Sequence, residues 1–383
     1  MQTILFLHAG AELYGADRIL INLVTELNPQ KFHSIVVLPT EGPLVDELRK
    51  QHIEVHIVEY PILRRKYFNL RGMLRYLQQY RHSCRQIFDL IKDQDVTIIH
   101  ANTLAVLEGI YLKKLFRAKL VWHVHEIITS PRIAFLVTSF MVGRFANQIV
   151  AVSKEVKNHL VSSRLVNPRK IKVIYNGVDT EKFKPMPVSA GLKSEFQVSD
   201  DDIVVGMIGR INAWKGQSTL LQAMIPLLKK NSKLKLIFIG GVFAGEEKRK
   251  KELVMAIEQS RVASQIVLKD FRNDLPSVYQ LFDVFVLPST NPDPLPTVVL
   301  EAMASGKPVV GFRHGGVIEM VQADVNGFLV NPIEIDDLTR CIQKLVVNEN
   351  LRSKMGTASR KRAVQQYSPQ RFISAFEDIY SQQ

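Results

Sequence analysis

Asp293-Pro294-Leu295-Pro296-Thr297-Val298-Val299-Leu300-Glu301-Ala302-Met303-Ala304-Ser305-Gly306-Lys307-Pro308 is the stretch that decides how this chain is read. A proline-rich loop opens a short helix, with one acid in the loop and a second eight residues later. Gly306 and Pro308 close that helix before the apolar run Val309-Val310-Gly311-Phe312, which reads as a strand. The first N–H groups of a helix have no carbonyl partner within it, so its start favours an anion. Two carboxylates beside that start can accept from hydroxyl groups. A ligand with both phosphate and sugar answers to this set, and a sugar nucleotide is one. A plain βαβ connection with an incidental acid pair is the competing reading.

The stretch sits in a long alternation of short apolar runs and longer helical patterns, which argues for parallel sheets covered by helices. Strands are expected over Ile4–Leu7, Ser34–Leu38, Val55–Val58, Thr97–His100, Leu120–His123, Ile149–Val152 and Lys172–Ile174. Helical patterns lie between them, near 17–27, 44–51, 70–92, 104–116 and 134–146. From about Tyr175 to Asp202 the alternation lapses into a turn-rich connector with Asn176-Gly177, Pro185, Pro187 and the acidic run Asp200-Asp201-Asp202. A second set follows, with strands over Val204–Ile208, Lys235–Ile239, Gln265–Leu268, Val284–Leu287, Val309–Phe312 and Phe328–Val330. Leu338–Val347 and Arg352–Gln366 read as closing amphipathic helices, and 370–381 as a final one. A chain of 383 residues exceeds one comfortable core, so two domains are the natural division.

Composition excludes several classes. With 46% hydrophobic and 23% charged residues the chain reads as globular rather than disordered. Cys84 and Cys341 form no metal-type spacing, which fits a reduced cytosolic setting. No apolar run approaches the roughly 20 residues of a membrane span, and Met1–Leu7 reads as a buried first strand rather than an export signal. The net charge of +13 is uneven: residues 1–180 hold 24 cations against 15 acids, so that half is the face expected toward an anionic partner. Within it, Pro61 to Arg85 holds no acid and interleaves Arg64, Arg65, Lys66, Arg71, Arg75, Arg81 and Arg85 with Tyr67, Phe68, Tyr76 and Tyr80. Such a stretch suits an anionic membrane surface or a polyanionic acceptor, and a solvated helix face equally. No nucleic-acid reader motif accompanies the charge.

Three further elements carry chemistry. The first strand runs into His8-Ala9-Gly10-Ala11-Glu12-Leu13-Tyr14-Gly15-Ala16-Asp17, a turn where glycine permits close backbone approach but which lacks a dinucleotide fingerprint. Val204–Ile208 delivers Gly209-Arg210, and Lys215-Gly216 follow at the next helix start. Two cations there can hold a diphosphate, and their cost at a helix start weighs against a purely structural reading. Trp122-His123-Val124-His125-Glu126 ends another strand, with His123 and His125 on one face by alternation.

Taken together, these motifs resemble the retaining glycosyltransferases of family 4, whose usual signature is Glu-Pro-Phe-Gly-Leu, three residues, then Glu-Ala-Met-Ala-x-Gly-x-Pro-Val. Asp293 stands for the first Glu, Glu301 matches the second, and Pro296 replaces the glycine. The resemblance implies an α/β GT-B fold: two Rossmann-like doubly wound parallel-sheet domains facing an interdomain cleft. It implies an N-terminal acceptor-side domain over 1–180, a nucleotide-sugar-binding domain over 181–368 and a returning helix over 369–383.

By the same resemblance, His125, Asp293, Arg210 and Lys215 are the catalytic candidates. Gly15, Leu295, Thr297, Val298 and Glu301 bind the donor, with Phe271 and Arg272 near the base. Asn176-Gly177-Val178-Asp179 with Phe183 matches the family's hinge. The implied activity moves a sugar from a nucleoside diphosphate to a carbohydrate or lipid-linked hydroxyl acceptor in surface polysaccharide or glycolipid synthesis. No metal or other cofactor is expected, nor nucleic acid, and the expected location is cytoplasmic, peripheral on the inner membrane face. A sugar-nucleotide epimerase or hydrolase, or a non-catalytic module binding sugar nucleotide or anionic lipid, are the alternatives.

Overall fold

The computed structural model describes every residue except Tyr14, Arg64, Arg65, Lys66, Phe68, Phe243, Ala244 and Gln383. The chain divides into two compact units, Met1–Gly177 with Gln370–Gln383, and Val178–Pro369.

The first unit is built on seven parallel strands: β1 (Gln2–Leu7), β2 (Phe32–Leu38), β3 (Glu54–Ile57), β4 (Val96–Ala101), β5 (Lys119–Val124), β6 (Gln148–Ala151) and β7 (Ile171–Val173), in the order β3-β2-β1-β4-β5-β6-β7. The second holds six: β8 (Ile203–Ile208), β9 (Leu234–Ile239), β10 (Ile266–Lys269), β11 (Val284–Leu287), β12 (Val309–Phe312) and β13 (Gly327–Val330), in the order β10-β9-β8-β11-β12-β13. Helices cover both faces of such sheets, so the central strands are apolar almost without alternation; Ile4 to Leu7 and Val284 to Leu287 are fully buried. In each sheet the strand order reverses once, between β1 and β4 and between β8 and β11. Successive loops diverge at such a reversal and leave a crevice beyond the strand ends.

Every expected strand is present, with no end moved by more than two residues. Helices differ more. The pattern placed one from residue 104, whereas it spans Gly109–Phe116. The intervening backbone is used elsewhere, since the Leu104 N–H donates to the Glu126 carboxylate at 3.1 Å. Among the helices that went unread are Lys154–Ser162, capped by the Ser153 hydroxyl accepting from Val156 N, and Ala190–Glu195, capped likewise by Ser189 inside the supposed connector. Serine caps are clear signals only once a periodic run follows, and both runs are short. The terminal helix Pro369–Ser381 buries Phe372, Phe376 and Tyr380 in the first unit's core, and the Tyr380 hydroxyl bonds His100 Nδ1 at 2.7 Å.

That unit also encloses an unusual acid. Glu108 is fully buried, and neither carboxyl oxygen has a hydrogen-bond partner among the described residues. Burial pushes this carboxyl from 4.5 up to about 8. A protonated Glu108 therefore favours the fold, fully below about pH 4.5, and this contribution is lost as pH rises through about 8. Glu108→Gln should match the wild type near about pH 5 and exceed it by at least ~1 kcal/mol near about pH 9 in denaturant titrations. An offset independent of pH would exclude a titrating carboxyl.

Candidate functional site

In the second unit the loops leaving β8 and β11 meet at the strand-order reversal. The β8 loop carries Arg210 and Lys215; the β11 loop carries Asp293. The Lys215 ammonium is ion-paired with the Asp293 carboxylate, both side chains being largely buried. The ammonium also stands 4.6 Å from the centre of the Trp214 ring, a cation–π contact.

The backbone under this pair is tightly specified. Asn212 Oδ1 accepts from the N–H groups of Trp214 and Lys215 at 3.0 and 2.9 Å, turning the chain into the helix Gln217–Lys230. The Gln217 side chain donates to the carbonyls of Gly209 and Arg210 at 3.2 and 3.0 Å, which fixes the backbone that presents Arg210. Gly216 has φ +94°, and a Cβ there would lie 2.0 Å from the Pro288 carbonyl oxygen. Across the site, Gly315 has φ +61°, and a Cβ would meet the Asp293 backbone oxygen at 2.4 Å. The next residue, Gly316, donates its N–H to that same oxygen at 2.7 Å. Both positions need glycine for conformation and for space.

Beyond Asp293 the helix Thr297–Ala304 begins, with Pro296 as its cap. The N–H groups of Thr297 and Val298 fall in its first turn, where a helix offers no carbonyl of its own. Leu295 is buried. Glu301, one turn further, is also buried, and the Tyr279 hydroxyl lies 2.9 Å from its Oε2 and 2.9 Å from the Val298 carbonyl. Tyr279 thus ties the first helical turn to the second acid. No sequence signal marks Tyr279, because the contact spans 22 residues and two elements.

Phe271 and Arg272 are placed differently. Phe271 is half exposed. The Arg272 guanidinium is gripped by Asp274, at 2.8 and 2.7 Å, and by Glu195, and it lies over the Phe196 ring. These bonds hold the Arg272 pKa above its ordinary value and lower that of Asp274. Its fork faces the unit's own acids.

The first unit has its own constellation at the β1/β4 reversal, running along a line of hydrogen bonds. Asp17 Oδ1 lies 2.6 Å from His8 Nε2. His8 Nδ1 lies 3.0 Å from Asn102 Nδ2 and 3.3 Å from the Asn102 carbonyl, and Asn102 Oδ1 lies 3.0 Å from His125 Nε2. A carboxylate only accepts, so His8 carries its proton on Nε2 and its Nδ1 accepts the Asn102 amide. The amide oxygen then accepts from His125 Nε2–H, which leaves His125 Nδ1 with a lone pair. Burial drives His125 down to about 3, so the ring is neutral. Beside it, Glu126 takes the backbone N–H groups of Leu104 and His125, and burial raises its carboxyl to about 7. His123 shares the face expected of it, its ring centre 4.0 Å from that of His125, but it is sealed in the core with neither ring nitrogen partnered among the described residues. Gly15 opens the helix Gly15–Glu26, whereas Tyr14 lies outside the described residues. Asn102 escaped notice in the sequence: a single Asn after a strand has no motif of its own.

Two parallel-sheet α/β units, each with a polar constellation at its strand reversal, define the GT-B class of architecture. Residues 14–182 match the model described as Glycosyltransferase Family 4, and residues 191–362 the model described as Glycosyl transferases group 1. The chain belongs to the family 4-like glycosyltransferases. It is 28% identical to "Spore coat protein SA" of Bacillus subtilis over 61% of this chain and 64% of that protein, so the match spans less than two thirds of the relative's length. It is 22% identical to an Escherichia coli protein named "UDP-Gal:alpha-D-GlcNAc-diphosphoundecaprenol alpha-1,3-galactosyltransferase", over 96% of this chain and 94% of that one. Among solved structures, Anabaena Alr3699/HepE in complex with UDP-glucose superposes with a TM-score of 0.87 at 26% identity, covering both chains fully.

The Asp17–His8–Asn102–His125 line makes a prediction. In the wild type, ¹⁵N NMR of the His125 ring should report the Nε2–H tautomer alone. Asn102→Ala should give a mixture of both tautomers while the fold melts as a single transition. An unchanged Nε2–H signal would dismiss the role assigned to the Asn102 amide.

Proposed function

We propose that this protein is a retaining glycosyltransferase that moves a sugar from a nucleoside diphosphate to a hydroxyl acceptor in polysaccharide or glycolipid synthesis. The observation that carries the reading is the pairing of Lys215 with Asp293 at the β8/β11 reversal. A cation suited to phosphate and an acid suited to sugar hydroxyls share one point, and in a sugar nucleotide phosphate and sugar share one bond. That bond is the one a transferase breaks.

In this reading Lys215, Arg210 and the N–H groups at the start of helix Thr297–Ala304 stabilise charge on the departing diphosphate. Asp293 orients the transferred sugar, and Glu301, set by Tyr279, accepts both ribose hydroxyls. Leu295 packs beneath the helix start that Thr297 and Val298 present. His125, held neutral, offers its Nδ1 lone pair to a donor-sugar hydroxyl, and Gly15 lets the backbone approach a phosphate. The acceptor oxygen attacks on the face the diphosphate leaves, as the family resemblance implies. No metal ion is invoked, because these cations and the helix start balance the leaving charge. Bound UDP and UDP-glucose in the Anabaena structures support a uridine-based donor, and the acceptor named for the E. coli relative supports a lipid-linked one. With Arg272 occupied by Glu195 and Asp274, a base contact falls to Phe271.

The acceptor reading extends to the membrane face. No helix among the described residues is long and apolar enough to cross a membrane. The helix Leu70–Ile91 exposes Arg71, Arg75, Arg81 and Arg85 beside Met73, Leu74 and Leu77, the last three 40%, 64% and 48% exposed. Arg64, Arg65, Lys66 and Phe68 of the same basic stretch lie outside the described residues. Apolar side chains held among arginines favour an anionic bilayer surface over bulk water.

Two measurements follow. Purified protein supplied with UDP-sugars and a membrane lipid extract should yield glycosylated lipid, and Lys215→Ala should slow this more than about tenfold, or ~1.4 kcal/mol in barrier. Lys215→Arg, which keeps Asp293 paired, controls for folding. Turnover unaffected by Lys215→Ala removes the diphosphate role, and nucleotide release that needs no acceptor points to a hydrolase. Separately, the protein should cosediment with phosphatidylglycerol vesicles and not with phosphatidylcholine. Replacing Arg71, Arg75, Arg81 and Arg85 with Ala should weaken that binding by at least about tenfold, at ~1 kcal/mol per well-placed cation.

A further inference from the structure

The ion pair of Lys215 with Asp293 leaves neither partner room to withdraw. Only 15% of the lysine side chain and 10% of the aspartate side chain is exposed. The ammonium is boxed between the carboxylate and the Trp214 ring. The two loops that carry the pair are tied together: the Thr290 N–H donates to the Trp214 carbonyl at 2.7 Å, and the Thr290 hydroxyl to the same oxygen at 3.3 Å. Behind the acid, the Gly316 N–H holds the Asp293 carbonyl at 2.7 Å. Among the described residues no second cation is ion-paired with Asp293 and no second acid with Lys215.

We propose that Asp293 makes this site discriminate between the sugar-bearing donor and the spent nucleoside diphosphate, so that the acid which orients the sugar also weakens the hold on the product once the sugar has gone. The inference deepens the donor reading above and rests on it.

The chemistry of the two ligands carries the argument. In transfer, the bond from the sugar's anomeric carbon to the diphosphate oxygen breaks, and its electron pair stays on that oxygen. The acceptor oxygen bonds the same carbon and its proton passes to water. Above the second ionisation of a terminal phosphate, near about pH 6, the product therefore carries one more ionised oxygen than the donor. That oxygen is the atom the sugar had covered. With the sugar in place, Asp293 faces hydroxyl groups, and a carboxylate accepts from two of them at once. With the sugar gone, it faces the new negative charge across a largely buried space, where like charges repel more strongly than in water. Lys215 offsets little of this, since its own charge is already matched by Asp293. Nor can the carboxylate swing aside, because its loop is held at Thr290 and at Gly316. Separating the pair would strand one buried charge, which costs more than either ligand contact returns. Glu301 stays outside this balance. In the same reading it meets the ribose, which donor and product share, so Asp293 is the acid whose partner changes.

Isothermal titration calorimetry of the full-length protein with UDP, UMP and UDP-glucose tests the inference. Asp293→Asn should bind UDP at least about tenfold more tightly than the wild type, equal to ~1.4 kcal/mol, and UDP-glucose no more tightly. UMP, which has no terminal phosphate at that position, should bind both proteins alike. Asp293→Glu keeps the charge and should hold UDP as weakly as the wild type. Melting curves with and without UDP check the fold, and Asp293→Ser carries the same expectation should the Asn variant fold poorly. UDP affinity unmoved or weakened by Asp293→Asn, in a protein whose UDP binding still falls with Lys215→Ala, overturns the inference and leaves the transferase reading intact. Equal tightening by Asp293→Glu also overturns it, because the cause would then be shape rather than charge. UDP binding indifferent to Lys215→Ala removes the diphosphate site, and the inference and the transferase reading fall together.

Discussion

A parallel sheet whose strand order reverses must send two adjacent loops in opposite directions, and the space between them belongs to neither. Both units of this chain are organised around that constraint. At the β8/β11 reversal the diverging loops bring Lys215 against Asp293; at β1/β4 they bring His8 against Asn102. The contacts span 78 and 94 residues of sequence, yet each follows from which strands are neighbours. The two constellations are chemically unlike. One joins opposite charges beside a helix start, whereas the other is a line of hydrogen bonds, anchored on the Asp17 carboxylate, that fixes a tautomer.

Withdrawing an ion pair from water is costly, and an apolar pair of similar volume would often be more stable. The Lys215–Asp293 pair therefore contributes little that packing could not, and its retention fits a site that must receive a charged ligand. The surrounding glycines support the same view. Gly216 and Gly315 let the Pro288 and Asp293 backbones approach more closely than any side chain would permit. Where so many backbone contacts converge, the charged groups have little freedom to relax, and a rigid arrangement favours selective stabilisation of developing charge.

Much of this was legible in the chain itself. The acid pair of Asp293 and Glu301, the Pro-Gly punctuation and the strand alternation located the second unit's site, because each is a local pattern with a local cause. Lys215 was placed by its helix start and Arg210 by its strand end. Arg272 shows the limit. Its position beside Phe271 was readable, but the acids that claim its guanidinium, Glu195 and Asp274, come from a helix hidden in the supposed connector and from a loop. Tyr279 and Asn102 were unreadable for the same reason: their partners lie on other elements, and neither sits in a repeating pattern.

The sequence by itself determined the alternating elements, the two-domain organisation, the charge asymmetry and the family resemblance. Those depend on periodicity, backbone preference and composition, which neighbouring residues set. Only the tertiary structure decided which side chains meet: Lys215 with Asp293, Tyr279 with Glu301, and Asp17 through His8 and Asn102 to His125. It also decided which groups lose water, leaving Glu108 protonated and His125 neutral at ordinary pH. Contact and desolvation depend on distances across the fold, and strand order, which sets those distances, is written in no single stretch of the chain.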